Sequence, residues 1–397
     1  MNSNKAYISK TRLGILAVSC MGMAALAITP SYAAIAKYFS LDNTSVQMLT
    51  SLPNLFMMLA GLIVGKLTAG KLNLKTLTLT SIILVVIGGL IPLIYHENFM
   101  VLLLSSCLVG LGQGACTNLS QVLISQMLPI SEQESTMGLT TTFTNIGGII
   151  FIMGGGQLAA KIGWINNYWI YLFSFFILLT AILLIPLHPQ VEQDTSTKVS
   201  SKIKINKYIF YCAAWGFLLM LLNNVLNNNI SLFIVQEKLG ATSQAAMTST
   251  VSLIGGMLCG LIVGKIGSKF KYSSIALAFL LYGISYLVVG LGHSLFLAFL
   301  GSFFVGAAMS VGMGQFPYLI SISVDKNSVS MSLGIYTAIY SIGGIVSPFI
   351  INPLVALVKN IGLNVFSVSG LVALAIAVVC FLSKFQKNLV TASNTQK

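Results

Sequence analysis

The side chains of this chain that could bind a solute are amides, hydroxyls and phenols set inside long apolar runs. Asn223, Asn224, Asn227, Asn228 and Asn229 place five amides within seven residues, followed by Ser231. In a helix, Asn223 and Asn227 share one face and Asn224 and Asn228 another. An amide turned to hydrocarbon is costly, so these faces must meet other helices or a wet cavity. Two uses fit: hydrogen bonds to a solute, or glue between helices, worth about 0.6 kcal/mol per bond in membranes. Gln113, Thr117 and Gln121 recur at intervals of four with Asn118 beside them, and Thr141 and Asn145 stand in the next apolar run. Thr337 and Ser341 stand near the end of the chain, next to Tyr336 and Tyr340. Such a ring could hydrogen-bond a neutral or zwitterionic solute, with Trp215, Tyr336 and Tyr340 as aromatic walls or a cation-binding face. Packing through small polar residues accounts somewhat better for the threonines and the serine.

Charge is missing where proton relays usually need it. All eight acids (Asp42, Glu97, Glu132, Glu134, Glu192, Asp194, Glu237 and Asp325) and the three histidines (His96, His188, His293) lie in loops or at the ends of apolar runs. Buried carboxylates or histidines with shifted pKa values are the common carriers of protons across membranes. The six cysteines all lie in apolar stretches without paired spacing, which suits small buried hydrophobes rather than metal ligands. No His-Glu-x-x-His, Gly-x-Ser-x-Gly or phosphate-cradling loop occurs. The expectation is a protein that is not an enzyme, uses no cofactor and does not hydrolyse ATP.

The elements that position these residues follow from composition. Of 397 residues, 56% are hydrophobic and 7% charged, with a mean hydropathy of +0.91, whereas soluble domains carry about 25% charged residues. Lipid must cover most of this surface. The net charge of +13 is scattered singly, with no patch suited to nucleic acid. Apolar stretches fall near 13–36, 45–69, 74–95, 98–128, 136–160, 167–187, 208–235, 243–266, 273–292, 295–322, 328–352 and 361–383. Each reads as a membrane-spanning helix, because hydrocarbon offers the backbone no outside partner. The first imitates a secretory signal ending in Ser31-Tyr32-Ala33-Ala34, but its length favours a span. With the N-terminus inside, inner segments hold 17 lysines and arginines and outer loops only Lys37, Lys161, Lys238 and Lys359. Both termini are therefore expected in the cytoplasm. The polar stretch 189–206 reads as a cytoplasmic linker between a first half, 1–188, and a second, 207–397. Twenty lysines against one arginine suit an AT-rich bacterial genome.

The halves repeat. Met58-Leu-Ala-Gly-Leu-Ile-Val-Gly-Lys66 recurs as Met257-Leu-Cys-Gly-Leu-Ile-Val-Gly-Lys265, at an offset of 199. Val109-Gly-Leu-Gly-Gln113 recurs as Val311-Gly-Met-Gly-Gln315, at an offset of 202. Gly138 with Gly147-Gly148 recurs as Gly334 with Gly343-Gly344, at an offset of 196. Two copies of six helices, an even number, share orientation, and a pseudo-twofold axis along the membrane normal relates them. Gly155, Gly156 and the paired glycines let helices approach closely, and Pro348 can break a helix ladder.

This pattern resembles the major facilitator superfamily over essentially the whole chain. The family's loop motif Gly-x-x-x-Asp-Arg-x-Gly-Arg-Arg is met by Gly61 and Lys66, and by Gly260, Lys265, Gly267 and Lys269, with Gly65 and Gly264 where the acid belongs. Gly110-Leu-Gly-Gln113-Gly114 resembles its helix-four motif without the arginine. The antiporter spacing is met by Gly138, Gly147, Gly155 and Gly156, with Phe151-Ile152 in place of Gly-Pro. The resemblance implies an all-α, twelve-helix, monomeric secondary transporter working by alternating access, of the efflux-like branch, for a small-molecule substrate, and it leaves proton coupling open. Uptake of a polar nutrient and a sensor or scaffold that no longer transports are the rival expectations.

Overall fold

The computed structural model describes residues 2–41, 43–68, 72–187, 205–240, 242–358 and 362–395. Most of the expected linker, 189–206, lies outside them, as do Asp42 and His188. The described residues form helices α1 (Asn2–Ser19), α2 (Tyr32–Phe39), α3 (Asn43–Thr68), α4 (Leu74–Ile94), α5 (Phe99–Met127), α6 (Ile130–Ile149), α7 (Gly155–Ile162) and α8 (Leu172–Leu184). They continue as α9 (Lys207–Gln236), α10 (Thr242–Gly260), α11 (Val263–Lys269), α12 (Ser274–Leu291), α13 (Leu295–Ser323), α14 (Val329–Leu357), α15 (Val365–Ser383) and α16 (Phe385–Thr395). No strand occurs among the described residues.

Among the described residues eleven helical stretches are long and apolar enough to cross a membrane, and Met247–Gly260 with Val263–Lys269, bent by 56°, is a twelfth when the bent pair is counted as one span. The expected continuous eighth span is therefore broken. The break is satisfied rather than frayed: the Thr142 hydroxyl donates to the Met257 carbonyl at 2.9 Å, and the Ser310 hydroxyl to that of Gly256 at 2.7 Å. Large apolar side chains point outward, Leu104 at 66%, Phe176 at 65% and Leu183 at 80% exposure. Hydrocarbon is the solvent those faces fit.

The chain divides into two compact units. Unit 1 comprises Met1–Thr136, Phe143–Lys204 and Lys326–Ala338; unit 2 comprises Met137–Thr142, Ile205–Asp325 and Ile339–Lys397. In unit 1, α5 lies against α3 so closely that a Cβ on Gly110 would sit 2.4 Å from the Pro53 carbonyl oxygen, and one on Gly114 2.5 Å from that of Met57. In unit 2, α13 meets α10 likewise: a Cβ on Gly306 would lie 1.8 Å from the Ser252 carbonyl oxygen, and Ser310 bonds Gly256. Pro53 and Met57 correspond to Ser252 and Gly256 at the offset of 199. Packing therefore equates Gly110 with Gly306 and Gly114 with Ser310, an offset of 196. This corrects the sequence match at 202, in which a Val-Gly-x-Gly-Gln string happens to recur six residues further along the helix.

Helix α16 was not expected. The left-handed residue Lys384 (φ 50°) turns the chain out of α15, and Phe385, Gln386, Leu389 and Val390 are buried. Helix α12 has no side-chain cap of its own at Ser273. Gln386 supplies one: its Oε1 accepts from the Ile275 N–H at 3.3 Å, and its Nε2 donates to the Lys271 carbonyl and the Ser274 hydroxyl at 3.1 and 2.8 Å. Helix N-termini leave such amides without internal partners.

Candidate functional site

In unit 2 the amide run lies on α9, a regular helix whose backbone is gripped by its neighbours. The Tyr286 hydroxyl donates to the Leu222 carbonyl and the Ser347 hydroxyl to that of Leu221, the latter at 2.7 Å. A Cβ on Gly343 would lie 2.2 Å from the Phe217 carbonyl oxygen, so α14 touches α9 backbone to backbone. Such approaches permit Cα–H···O contacts, worth about 0.5–1 kcal/mol each.

The five amides separate by face. Asn223 accepts from the fully buried Tyr282 hydroxyl at 3.1 Å. Asn224 turns towards Gly344 and donates to its own Met220 carbonyl at 3.1 Å. Asn227 and Asn228 are exposed, and Asn229, half-buried, donates to Val225 at 2.9 Å. Tyr340 is buried, and Pro348 is half-buried in the same helix. Trp215 lies elsewhere, stacked on Phe385 at 5.6 Å and tilted against Phe279 at 5.9 Å. It packs α16 down rather than joining the amides.

In unit 1 the first span is irregular. After α1, residues Cys20–Ser31 form a 3-10 helix interrupted at Met23 (φ −132°, ψ 20°). Gln113 closes the break: its Oε1 accepts from the Ala25 N–H at 2.7 Å and its Nε2 donates to the Gly22 carbonyl at 2.9 Å. Thr144 donates to the Ser19 carbonyl and Tyr171 to that of Ala24, both at 3.0 Å. Both polar ends of Gln113 are thus engaged by backbone. Gln121, Asn145 and Tyr336 are buried in this unit.

The motif glycines are packing surfaces. A Cβ on Gly147 would meet the Cys20 carbonyl oxygen at 1.9 Å, one on Gly155 the Asn167 Oδ1 at 2.4 Å, and one on Gly156 Pro30 at 3.2 Å. Gly138 meets Val263, and Gly260 meets the hydroxyls of Thr141 and Thr142, within unit 2. Gly61 meets Gly334 and Thr337 within unit 1. Lys66 and Lys265 are exposed.

Sequence reasoning passed over Tyr282, Tyr286, Ser347, Thr144, Asn167 and Tyr171, each buried or half-buried against the first or seventh span. The one available signal was Tyr282 and Tyr286 at helical spacing inside an otherwise apolar run. Among the described residues no group of acids, histidines and cysteines could hold a metal ion.

Known structures share this architecture. The human organic anion transporter MFSD10 (TETRAN) is 12% identical with a TM-score of 0.72, covering 94% of this chain and 98% of that one. A variant of the Escherichia coli fucose:proton symporter FucP is 14% identical with a TM-score of 0.72, covering 96% and 99%. The proton:xylose symporter XylE bound to 6-bromo-6-deoxy-D-glucose is 14% identical with a TM-score of 0.70, covering 94% and 95%. The family model of the Major Facilitator Superfamily matches residues 14–348. With its all-helical spans, its repeated packing and this match, the chain belongs to the Major Facilitator Superfamily.

Proposed function

We propose that this protein exports a small uncharged or zwitterionic polar solute across the cytoplasmic membrane of a bacterium, by alternating access between halves 1–188 and 207–397 with both termini inside. One observation carries the substrate chemistry: the α9 amide run, with Asn223 held by Tyr282 while Asn227 and Asn228 stay exposed. Amides both donate and accept, so they suit hydroxyl- or amide-bearing solutes rather than ions. The glycine spacing through Gly138, Gly147, Gly155 and Gly156 supports export. A thermal-shift screen of the purified protein against neutral metabolites finds the ligand that stabilises it. Counterflow of that ligand in proteoliposomes then tests carriage, and inverted vesicles test direction. A ligand that binds without exchanging would mark a sensor instead.

Uptake is the second reading, favoured by the same amide and phenol chemistry and by two of the similar structures being symporters of fucose and xylose. Accumulation of solute inside intact cells against its gradient would select it. Proton coupling would then run through acids at span ends such as Glu132 rather than through the span interiors.

A further inference from the structure

Asn118 of α5 is 2% exposed, and neither its Oδ1 nor its Nδ2 has a protein partner. An interior amide in that state points to a ligand group that both donates and accepts. Its position follows from register. Gly110 and Gly114 sit on Pro53 and Met57, and Ala115 and Leu119 cluster with Ala60 and Val64. Carried one turn further along both helices, that register brings Asn118 level with Gly61.

Gly61 is covered on its other side by the start of α14. A Cβ on Gly334 would lie 2.5 Å from the Gly61 carbonyl oxygen, one on Gly65 would meet the Met331 Cα at 3.0 Å, and the Thr68 hydroxyl bonds that of Ser330. All of these residues belong to unit 1, at the lysine-bearing end of α3 that carries Lys66. Among the described residues the seam contains no ion pair. Glycines against the backbone of Met331 and Gly334 and one hydroxyl pair make these contacts, so they can part without separating charges.

We infer that Asn118 is a solute-binding amide on the permeation path, taking a hydroxyl or amide group of an uncharged solute, and that the Gly61–Gly334 seam covers it in this conformation. The inference rests on the transporter reading. Its test is Asn118→Cys in the full-length protein with the six native cysteines replaced, probed with a membrane-impermeant thiol reagent in intact cells and in inverted vesicles. The thiol should react from the lysine-rich side only, and about tenfold faster when Gly334→Leu, or Gly65→Val should that variant not fold, shifts the population towards the open seam. A thiol that is unreactive from both sides in both backgrounds, or reactive from the opposite side, overturns the inference. Counterflow is scored separately: its absence rejects transport, while the labelling pattern alone decides the place of Asn118.

Discussion

Tyr282 of α12 donates its hydroxyl to Oδ1 of Asn223 at 3.1 Å, from a side chain with no exposed surface. The bond orients one amide of the α9 run from a neighbouring helix. Tyr282→Phe removes the donor while keeping the ring, so stability should fall only by about 0.5–1 kcal/mol. If Asn223 is oriented for a solute, transport should fall by far more than that loss implies. Parallel measurement of thermal unfolding and counterflow separates the two, and an equal decline in both returns the pair to packing.

Asn228 is exposed and Asn224 bonds only its own helix. Asn228→Ala and Asn224→Ala should each leave thermal stability within about 0.5 kcal/mol, yet impair transport. Unchanged initial rates in proteoliposomes for both variants would remove these amides from the path.

Arg12, the chain's single arginine, bonds Glu132 at 2.9 Å and lies 3.3 Å from the Ser135 hydroxyl, tying α1 to α6. The side chains of Arg12 and Glu132 are 27% and 40% exposed, so the pair should contribute at most about 1 kcal/mol. Arg12→Ala should lower the melting temperature slightly, by less in high salt, and the exchange Arg12→Glu with Glu132→Arg should restore part of the loss. Scanning calorimetry at two ionic strengths reads both effects.

Gln113 serves two backbone groups that the broken first span cannot pair. Gln113→Leu leaves the Ala25 N–H and the Gly22 carbonyl buried without partners, at about 1–3 kcal/mol each. Hydrogen exchange should rise locally around residues 22–25, while α9 stays protected. A uniform rise across the chain would show that Gln113 supports the whole fold instead.

Two glycines of the antiporter-like spacing should differ in sensitivity. Gly147→Ala drives a methyl to 1.9 Å from the Cys20 carbonyl oxygen, an overlap expected to cost about 1–3 kcal/mol. Gly156→Ala meets Pro30 at 3.2 Å and should cost clearly less. Urea unfolding in a mild detergent ranks them.

Much of the fold could be read from residues alone, because lipid forces the backbone to bond internally and so turns each apolar run into a helix. The repeat through Met58 and Met257 was equally plain. The register between α5 and α13 was not, since glycine-rich strings recur by composition and only the contacts of Gly110 and Gly306 decide which residues correspond. Helix α16 was hidden by its polarity: it holds on through four buried side chains, one of them a glutamine, too few to raise an apolar signal. At the site, the amide run was visible as five asparagines, but the partners that sort them were not. Tyr282 and Tyr286 look like ordinary core aromatics until their hydroxyls are placed. Gln113 stood out as a polar residue in a span, yet only the break at Met23 shows that backbone rather than solute occupies both its ends.

A 3-10 helix climbs about 2.0 Å per residue against about 1.5 Å for an α-helix. The eight residues from Ala24 to Ser31, past the interruption at Met23, therefore reach about 4 Å further than the same segment wound as α-helix would. Rewinding that segment would draw its far end in by a comparable distance, with the Gln113 bonds to Gly22 and Ala25 standing at its near end.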